Sequence, residues 1–328
     1  MSRPTIYDVA AAAGVSKSLV SLVLRGSPRV SEDSRRAVEE AIRRLDYRPS
    51  RAASSLASDR TESVGLLIDD YANPWFIDLA RGLHEVLGPE GYRLSVVDVA
   101  TASPAEDPVE GLLSSRVDGI VVAMDVPGVL LRPSAPPLVI AGTRAHLADA
   151  DSVANDDRAG ARLAVEHLLG LGHTRIVHLP AAGGAGIARA DSAVAVLAAA
   201  GIPHIAVAPA PAATEAEGYR AALELLRAHP DVTAIFAAND TMAVGALGAA
   251  RELGYDVPGR LSIVGYDNSA VARTRLVDLT TVDDVSAAVG QEAGRLLASR
   301  MRGSTAAPVH RTLEPALVVR GTTAPPHP

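Results

Sequence analysis

Apolar positions recur at helical spacing in three short segments of the first 45 residues. Thr5 begins the first segment as a capping residue, and Gly14 ends it. The second segment runs from Lys17 to about Leu24, and the third covers 32–45. One apolar face of the second segment is formed by Val15, Leu19, Val20 and Val23. We therefore predict three short helices that share a small core.

From residue 64 onward, short runs of Val, Ile and Leu alternate with longer segments of helical spacing. Predicted strands cover 64–68, 92–99, 118–123, 137–142, 174–180, 204–208, 234–239 and 261–267. Predicted helices cover 74–88, 106–115, 158–171, 187–200, 215–228 and 241–253. Such alternation is typical of parallel sheets covered by helices. The order repeats near 62–160 and near 161–285. This predicts two similar subdomains whose strands end at a ligand-binding cleft.

Composition excludes several classes of protein. The chain has 328 residues, 48% of them hydrophobic, and no cysteine. Disulfides, thiolate metal sites and thiol nucleophiles are therefore excluded, which fits a reducing compartment. The sequence does not begin with a secretion-type apolar segment, and no uninterrupted apolar run reaches the ~18 residues of a membrane span. We expect a cytoplasmic protein without membrane contact.

Charge is distributed unevenly along the chain. Residues 1–60 carry 11 Lys/Arg against 7 Asp/Glu, a net charge of +4, whereas the remainder carries 20 against 31, or −11. The only lysine, Lys17, starts the second predicted helix. A basic segment on an acidic chain indicates that the N-terminal part alone meets a polyanion.

Two helices joined by a tight glycine-containing turn, with a third closing the core, form the helix-turn-helix pattern. In that geometry the second helix enters the major groove of DNA, and its N-terminal residues reach base edges. Lys17 and Ser18 begin the exposed face of this helix. The ammonium group of Lys17 can donate to guanine O6 and N7.

Residues 5–58 carry a longer motif in one ungapped block. It contains T-I-x-D-V-A-x-x-A-G-V-S, V-S-x-V-L, R-V-S, L-x-Y-x-P and S-L-A in that order. This block resembles the LacI family of bacterial transcription regulators. The resemblance continues through the rest of the chain at 64–76, 117–122, 160–176, 239–247, 264–268, 279–282 and 313–323.

The resemblance implies a set of DNA contacts. Lys17, Ser18 and Leu22 would face bases, and the other residues would contact phosphates or the minor groove. The full predicted set is Thr5, Ser16, Lys17, Ser18, Ser21, Leu22, Arg25, Tyr47, Ser50 and Leu56. Relatives usually carry Arg where Leu22 stands and Asn where Arg25 stands. The predicted operator therefore differs from the common family sequence.

The linker 49–60 is rich in small residues and would by itself be a flexible tether. The resemblance instead implies a hinge helix that forms on DNA and pairs with the hinge of a second subunit. Leu56 would then be wedged into the minor groove at the operator centre. The alternative is that Leu56 is simply an apolar linker residue.

For the rest of the chain, the resemblance implies an effector site between the two subdomains. The predicted effector contacts are Asn73, Trp75, Phe76, Arg189, Asn239, Asp267 and Gln291. An arginine and a carboxylate can hold vicinal hydroxyls, and an aromatic face can stack on a sugar ring. Each of these residues also has a structural alternative. Trp75 and Phe76 could belong to a core, Asp267 could stabilise a turn, and Arg189 could be an exposed helix residue.

Departures from the family pattern leave the effector open. The motif that begins at Arg189 continues with Ser192-Ala193 instead of Gly-Phe, and Ala213 stands where many relatives place an aromatic residue. The ligand could be a sugar, a nucleoside-like molecule or another metabolite.

Other motifs carry little chemistry. The glycines of 183–186 follow a strand, but their spacing is not that of a dinucleotide-binding loop. The nine histidines show no paired metal-ligand spacing, and Asp69/Asp70 and Asp283/Asp284 are adjacent, so they point apart on a strand. We predict no cofactor, no metal and no catalytic residue.

The predicted fold is an all-α helix-turn-helix head plus an α/β body like a periplasmic binding protein, with two parallel-sheet Rossmann-like subdomains and a cleft. The predicted limits are 1–48 for the DNA-binding head, 49–60 for the hinge and 61–328 for the body. Within the body, the N-subdomain covers about 61–160 and 289–319, and the C-subdomain about 161–288 and 320–328.

The predicted function is sequence-specific regulation of transcription, with repression the favoured direction. A homodimer would bind a pseudo-palindromic operator in double-stranded DNA, under the control of a small molecule such as a sugar. A solute-binding protein of the periplasmic type is the alternative, although it leaves 1–58 unexplained. A small α/β enzyme is a third hypothesis, and it lacks a catalytic set.

Overall fold

The computed structural model describes residues 4–24, 26–47, 61–99, 101, 107–124, 126–132, 134–143 and 147–327. The chain divides into two compact units, Met1–Thr61 and Glu62–Pro328. Each unit has its own hydrophobic core, and the three helices of the head lie in the first unit.

The head contains helices α1 (Ile6–Ala13), α2 (Lys17–Leu24) and α3 (Glu32–Leu45). Thr5 and Asp8 form a reciprocal capping box at the start of α1, and Gly14 ends it with φ 68°. Because the chain turns sharply there, α1 and α2 meet at a bend of 103°, as expected for a helix-turn-helix. The three predicted helices are confirmed.

The second unit alternates strands and helices. Its strands are β1 (Ser63–Ile68), β2 (Arg93–Asp98), β3 (Gly119–Val122), β4 (Leu138–Ala141), β5 (Asp151–Asn155), β6 (Ile176–Leu179), β7 (Ala234–Ala237), β8 (Ser262–Tyr266), β9 (Thr280–Asp283), β10 (His310–Leu313) and β11 (Ala316–Val318). Its helices are α4 (Trp75–Leu87), α5 (Pro108–Ser114), α6 (Asp157–Gly170), α7 (Gly184–Ala199), α8 (Glu215–Ala228), α9 (Asp240–Glu252) and α10 (Ser286–Met301), with a 3-10 helix at Gly128–Leu131.

The strands form two sheets, and we call each sheet with its covering helices a lobe. The first lobe has the order β10-β5-β4-β3-β1-β2, in which all neighbours are parallel. The second lobe has the order β11-β9-β8-β7-β6, parallel except for β11. Fully buried apolar strand residues explain these sheets, because parallel strands are covered on both faces. The predicted α/β body with two parallel sheets is confirmed.

The chain crosses between the lobes three times. It passes from β5 to α6, from β9 to α10, and from β10 to β11. Helix α10 packs against α4 of the first lobe, although it follows the second lobe in sequence. The predicted N-subdomain runs to 319, whereas β11 already pairs with β9 of the second sheet, so the last crossing comes about four residues earlier.

The strand predicted at 204–208 is wrong. Residues 204–208 form no strand, and only the neighbouring Ala210 makes an isolated bridge, to Ala181. Prolines at 203, 209 and 211 lack the N–H groups that a strand ladder needs, so the segment stays at the sheet edge without forming a strand.

Among the described residues, no single helix is long and apolar enough to cross a membrane. Helices α1 and α2 meet that test only as a pair, across their sharp bend.

Candidate functional site

A cavity of about 570 Å³ lies between the two lobes, at the carboxyl ends of their strands. This is where open parallel sheets bind ligands. Its lining comes from loops after β1, β4, β5, β6, β7 and β8 together with 211–213. The polar lining residues are Asp69, Asp70, Asn73, Thr143, Asn155, Asp157, Arg189, Asn239 and Asp267.

Arg189 lies at the centre of a buried network in the second-lobe wall. Its Nε donates to Asp157 Oδ1 at 2.7 Å, and its Nη1 donates to the carbonyl of Ala238 at 2.6 Å. The Asp267 carboxylate lies 3.6 Å from Nη1. Although burial disfavours the charge of Arg189, Asp157 and the other nearby acids raise its pKa above the ordinary value. Arg189 is therefore a buried cation and not the exposed helix residue that was the alternative.

The Tyr266 ring packs against one face of the Arg189 guanidinium. The Arg189 guanidinium carbon lies 3.6 Å from the centroid of the Tyr266 ring, a cation–π arrangement. Gly160 on α6 makes room for this ring, because a Cβ there would collide with the Tyr266 hydroxyl. Asn155 Nδ2 donates both to Asp157 Oδ1 and to the Tyr266 hydroxyl, at 3.0 and 3.3 Å. These contacts fix the orientation of Arg189 toward the cavity.

Asp267 has an unusual backbone and an unusual environment. Its φ is 102°, a region that residues other than glycine rarely adopt, and the residue is 5% exposed. Burial, with the nearby carboxylates of Asp284 and Asp240, raises its pKa well above the usual range, against the opposing effect of Arg189. Strained residues of this kind concentrate at functional sites.

Two further carboxylates lie behind this wall. Burial raises the pKa of Asp284 to about 7, and its Oδ2 has no hydrogen-bond partner among the described residues. Burial also raises the pKa of Asp240 to about 6, although Thr281 and Ser269 donate hydrogen bonds to it. Arg189 is therefore surrounded by several acids, and burial favours the protonated form of those whose pKa is raised.

Two of the three asparagines among the described lining residues also stabilise helix starts. Asn239 Oδ1 accepts from the Met242 N–H at 2.8 Å, and its Nδ2 donates to the Ala213 carbonyl at 3.2 Å. Asn73 Oδ1 accepts from the Trp75 N–H at 3.1 Å. Both groups of Asn239 are thus engaged within the protein, whereas the Nδ2 of Asn73 makes no hydrogen bond to the residues that the structure describes.

Trp75 belongs both to the first-lobe core and to the cavity lining. It is 7% exposed and contacts Phe76 edge to face, with ring centroids 5.2 Å apart. Gly142, with φ 83°, lies against the far edge of the indole, where a Cβ would approach within 3.0 Å. The indole is therefore held in place as one side of the cavity.

Five of the seven predicted effector contacts line the cavity: Asn73, Trp75, Arg189, Asn239 and Asp267. Phe76 does not, because it is packed in the first-lobe core at 3% exposure. Gln291 lies on the surface of α10, where its amide donates to Glu85 Oε2 at 2.7 Å. Effector binding by the five remains a prediction.

The sequence prediction missed the residues that hold Arg189. They are Asn155, Asp157 and Tyr266, with Thr143 donating to Asp157 Oδ2. The segment 183–186 lacks the spacing of a dinucleotide-binding loop, yet Gly183, Ala185 and Gly186 line the cavity at the start of α7, which has no side-chain cap. The sequence did offer one signal for Asn155 and Asp157. They lie just before a predicted helix, where polar residues commonly cap the first turn.

In the head, α2 has one face in the core and one face outside. Val20 and Val23 are buried, whereas Lys17, Ser18 and Leu22 are exposed. The ammonium group of Lys17 lies 3.4 Å from the Tyr7 hydroxyl and 5.1 Å from the centre of its ring. The side chain expected to meet bases is thus held beside α1.

The predicted phosphate contacts in the head have different environments. Thr5 and Ser16 are exposed at helix starts, where their hydroxyls accept from the N–H groups of Asp8 and Leu19. Ser21 is half-buried, and Tyr47 is buried in the head core. Arg25, Ser50 and Leu56, with the predicted hinge, lie outside the described residues.

A helix-turn-helix joined to two α/β lobes around a polar cavity defines a class, the ligand-responsive DNA-binding regulators. Two family models match this chain: residues 5–50 match bacterial regulatory proteins of the lacI family, and residues 165–323 match a periplasmic binding protein-like domain. The chain belongs to the LacI family of bacterial regulatory proteins.

Individual relatives agree over nearly the full length. The HTH-type transcriptional regulator CelR of Thermobifida fusca is 33% identical, covering 97% of this chain and 98% of its own. A solved complex of a regulator CelR with cellobiose is 32% identical, with a TM-score of 0.73 and coverage of 98% of this chain and 100% of that chain. A lac repressor dimer bound to operator and the anti-inducer ONPF is 27% identical, with a TM-score of 0.84 and the same coverage.

These matches include the head as well as the body. The chain is therefore a DNA-binding transcriptional regulator and not a pure solute-binding protein.

Proposed function

We propose that this regulator is a homodimeric repressor of transcription. A small hydroxylated metabolite, such as a sugar, would bind between its lobes and control its affinity for a pseudo-palindromic operator. The observation that carries the proposal is the exposed face of α2, where Lys17, Ser18 and Leu22 project opposite a buried apolar face. A short helix with this division is suited to the major groove.

The cavity supports control by a ligand. Both lobes contribute to its lining, so a ligand that contacts both favours one arrangement of the lobes over others. Arg189 and Asp267 offer a donor and an acceptor side by side, which suits neighbouring hydroxyls. The related CelR was solved as a complex with cellobiose.

The surface of the second unit supports a dimer. Tyr71, Ile77 and Leu276 are large apolar side chains that are 53%, 58% and 95% exposed. A contiguous apolar patch on a protein surface commonly marks an interface, and we propose that these residues contribute to one. The related lac repressor was solved as a dimer.

We assign the cavity to binding and not to catalysis. Among its described lining residues there is no histidine, lysine or serine, and its one threonine donates to Asp157. Regulation of transcription also places the protein where the DNA is, and we expect it in the cytoplasm.

The test of the proposed function is sequence-specific, salt-dependent DNA binding by the full chain. Selection from randomised duplexes identifies the preferred site, and fluorescence anisotropy measures its affinity. Lys17→Ala is expected to weaken that site by about 1–3 kcal/mol and to relax preference at one position in each half-site. Arg175→Ala removes an exposed charge from the second unit, where Arg175 pairs with Asp231, and is the control.

Affinity that falls steeply with salt, with symmetric half-sites, supports the proposal. Duplex binding without sequence preference contradicts it. An equal loss of affinity in Lys17→Ala and Arg175→Ala contradicts the role of α2.

A further inference from the structure

We infer that Tyr7 is a positioning residue for base recognition: its ring and hydroxyl hold the ammonium group of Lys17 so that this group meets one base pair in each half-site. The inference rests on the proposed function, because it takes Lys17 to face bases. It follows from the position of the Tyr7 ring, from the contacts of Lys17 and from the number of donors on an ammonium group.

The ring of Tyr7 lies outside the head core. Tyr7 is in the first turn of α1 and is 64% exposed, whereas Val9 and Ala10 of the same helix are buried. An exposed ring gains little from the hydrophobic effect, so packing of the core does not account for it. The ring instead contacts Lys17, the first residue of α2.

Tyr7 contacts the ammonium group of Lys17 in two ways. Lys17 Nζ donates to the Tyr7 hydroxyl at 3.4 Å and lies 5.1 Å from the ring centre, within the range of a cation–π contact. Asp8, the acid next to Tyr7, is already engaged, because its carboxylate accepts from the N–H and the hydroxyl of Thr5 at 2.7 and 2.8 Å. Among the residues that the structure describes, Lys17 forms no ion pair with a carboxylate. Tyr7 therefore holds this cation without neutralising its charge.

The remaining donors of Lys17 suit a guanine. An ammonium group has three donors and no acceptor. One donor is directed to the Tyr7 hydroxyl, which leaves two, and guanine presents two acceptors, O6 and N7, side by side in the major groove. The hydroxyl contact thus leaves the number of donors that one guanine can accept.

The hold on Lys17 also limits which groups it can reach. A lysine side chain is long and flexible, so an unrestrained ammonium group could choose among several neighbouring bases and phosphates. Held against Tyr7, it reaches fewer alternatives and loses less freedom on binding. The charge itself is the same with or without Tyr7. We therefore expect Tyr7 to control base preference much more than the attraction to phosphates, which supplies non-specific affinity.

Full-chain variants test the inference on the site selected from randomised duplexes. Fluorescence anisotropy at one salt concentration measures affinity for that site, for sites changed at one half-site position at a time, and for an unrelated duplex. Lys17→Ala identifies the position at which Lys17 acts. Tyr7→Leu removes the ring and the hydroxyl, and preference at that position should fall by about two- to fivefold, as expected for an exposed cation–π contact. Affinity for the unrelated duplex should change by less than about twofold.

Two Tyr→Phe variants separate the ring from the hydroxyl. Tyr7→Phe keeps the ring, so its loss of preference should be smaller than that of Tyr7→Leu. Tyr71→Phe is the matched control, because Tyr71 is an exposed tyrosine of the second unit whose hydroxyl donates to the Val96 carbonyl at 3.3 Å. This control should keep the preference of the unmodified chain.

A double-mutant cycle assigns the effect to Lys17. In a chain that already carries Lys17→Ala, Tyr7→Leu should cause no further loss of preference at the same position. A purely structural role of Tyr7 would not depend on Lys17 in this way. Losses of similar size with and without Lys17 would overturn the inference, since Tyr7 would then act on the duplex by itself.

The inference is also overturned if Tyr7→Leu leaves the preference unchanged, sharpens it, or weakens binding to every duplex equally. If Tyr7→Leu does not fold, Tyr7→Phe with and without Lys17→Ala decides. Relaxed preference in Lys17→Ala without any change in the Tyr7 variants refutes only this inference. If Lys17→Ala relaxes preference at no position, the proposed role of α2 is refuted as well.

Discussion

The two walls of the cavity are built differently. The first-lobe wall comes largely from one loop after β1, where Asp70 and Asn73 are half-exposed and bond to N–H groups two residues away. The second-lobe wall brings Arg189, Asp267 and Asn239 together from separate elements, and all three are buried. Local bonds can re-form after a movement, whereas a buried network resists displacement. The second wall and the buried Trp75 indole therefore define the geometry, and the half-exposed part of the loop after β1 can adjust to the ligand.

The largest expected effect on stability comes from removing the Arg189 side chain from the second wall. Arg189→Ala leaves the buried acids around it without their cation, and we expect it to lower the free energy of unfolding by about 3–5 kcal/mol. Chemical denaturation measures the change. Arg158→Ala removes an exposed arginine paired with Asp191 and should cost at most about 1 kcal/mol. Similar losses in the two variants would show that the second wall is not held by its buried charge.

A smaller effect should come from Asp284, behind the same wall. Its folded-state pKa of about 7 exceeds the ordinary value near 3.9, so the folded state binds the extra proton between these values. The contribution of Asp284 to stability is fully present below pH ~4 and is lost as pH rises through about 7. Asp284→Asn should remove this loss and be more stable than the unmodified chain at pH 8 by about 1–3 kcal/mol.

Urea denaturation at pH 5 and pH 8 measures this difference, and the advantage of the variant should shrink at the lower pH. The control is Asp231→Asn, which changes an exposed carboxylate paired with Arg175. If Asp284→Asn were equally stabilising at both values, the pH dependence assigned to this carboxylate would be wrong.

The smallest expected effect compares the two walls directly through their asparagines. Asn239→Ala should cost about 1–2 kcal/mol, because it removes a helix cap and leaves the Ala213 carbonyl without its donor. Asn73→Ala should cost about 0.5 kcal/mol, because its hydrogen bond to the Trp75 N–H lies in a half-exposed loop. Thermal denaturation of both variants measures which substitution costs more stability. Equal losses of stability would show that the two walls do not differ in this respect.

The sequence predicted the head well because its signals are local. Capping by Thr5, the left-handed Gly14 and the apolar face of α2 all lie within one short segment. Helix spacing alone therefore placed Lys17 on the exposed face. No distant contact was needed to define these elements.

The second wall could be predicted only in part, because distant partners make it stable. Strand β5 was missed since its sequence, Asp151–Asn155, is not an apolar run. Asp151 is buried there because Arg300, 149 positions later, donates two hydrogen bonds to it at 2.7 and 2.8 Å. A single-sequence pattern does not reveal such a pair. For the same reason Asn155 was not expected at the site.

Gln291 also shows that a single sequence does not reveal distant partners. The resemblance suggested a cleft residue, but the packing of α10 on α4 turns its side chain toward Glu85. Phe76 follows Trp75 in sequence, yet successive helix residues point in different directions, and only the indole reaches the cavity.

The three crossings between the lobes also affect how the chain can fold during synthesis. Domains usually fold as units in the order in which they are made. Here the first sheet lacks its edge strand β10, and α4 lacks the helix that covers it, until residues 286–313 have been made. The second lobe has its four parallel strands by residue 283. A chain that ended at residue 285 would lack both α10 and β10 and would leave apolar surface of α4 exposed, whereas its second sheet would lack only the edge strand β11.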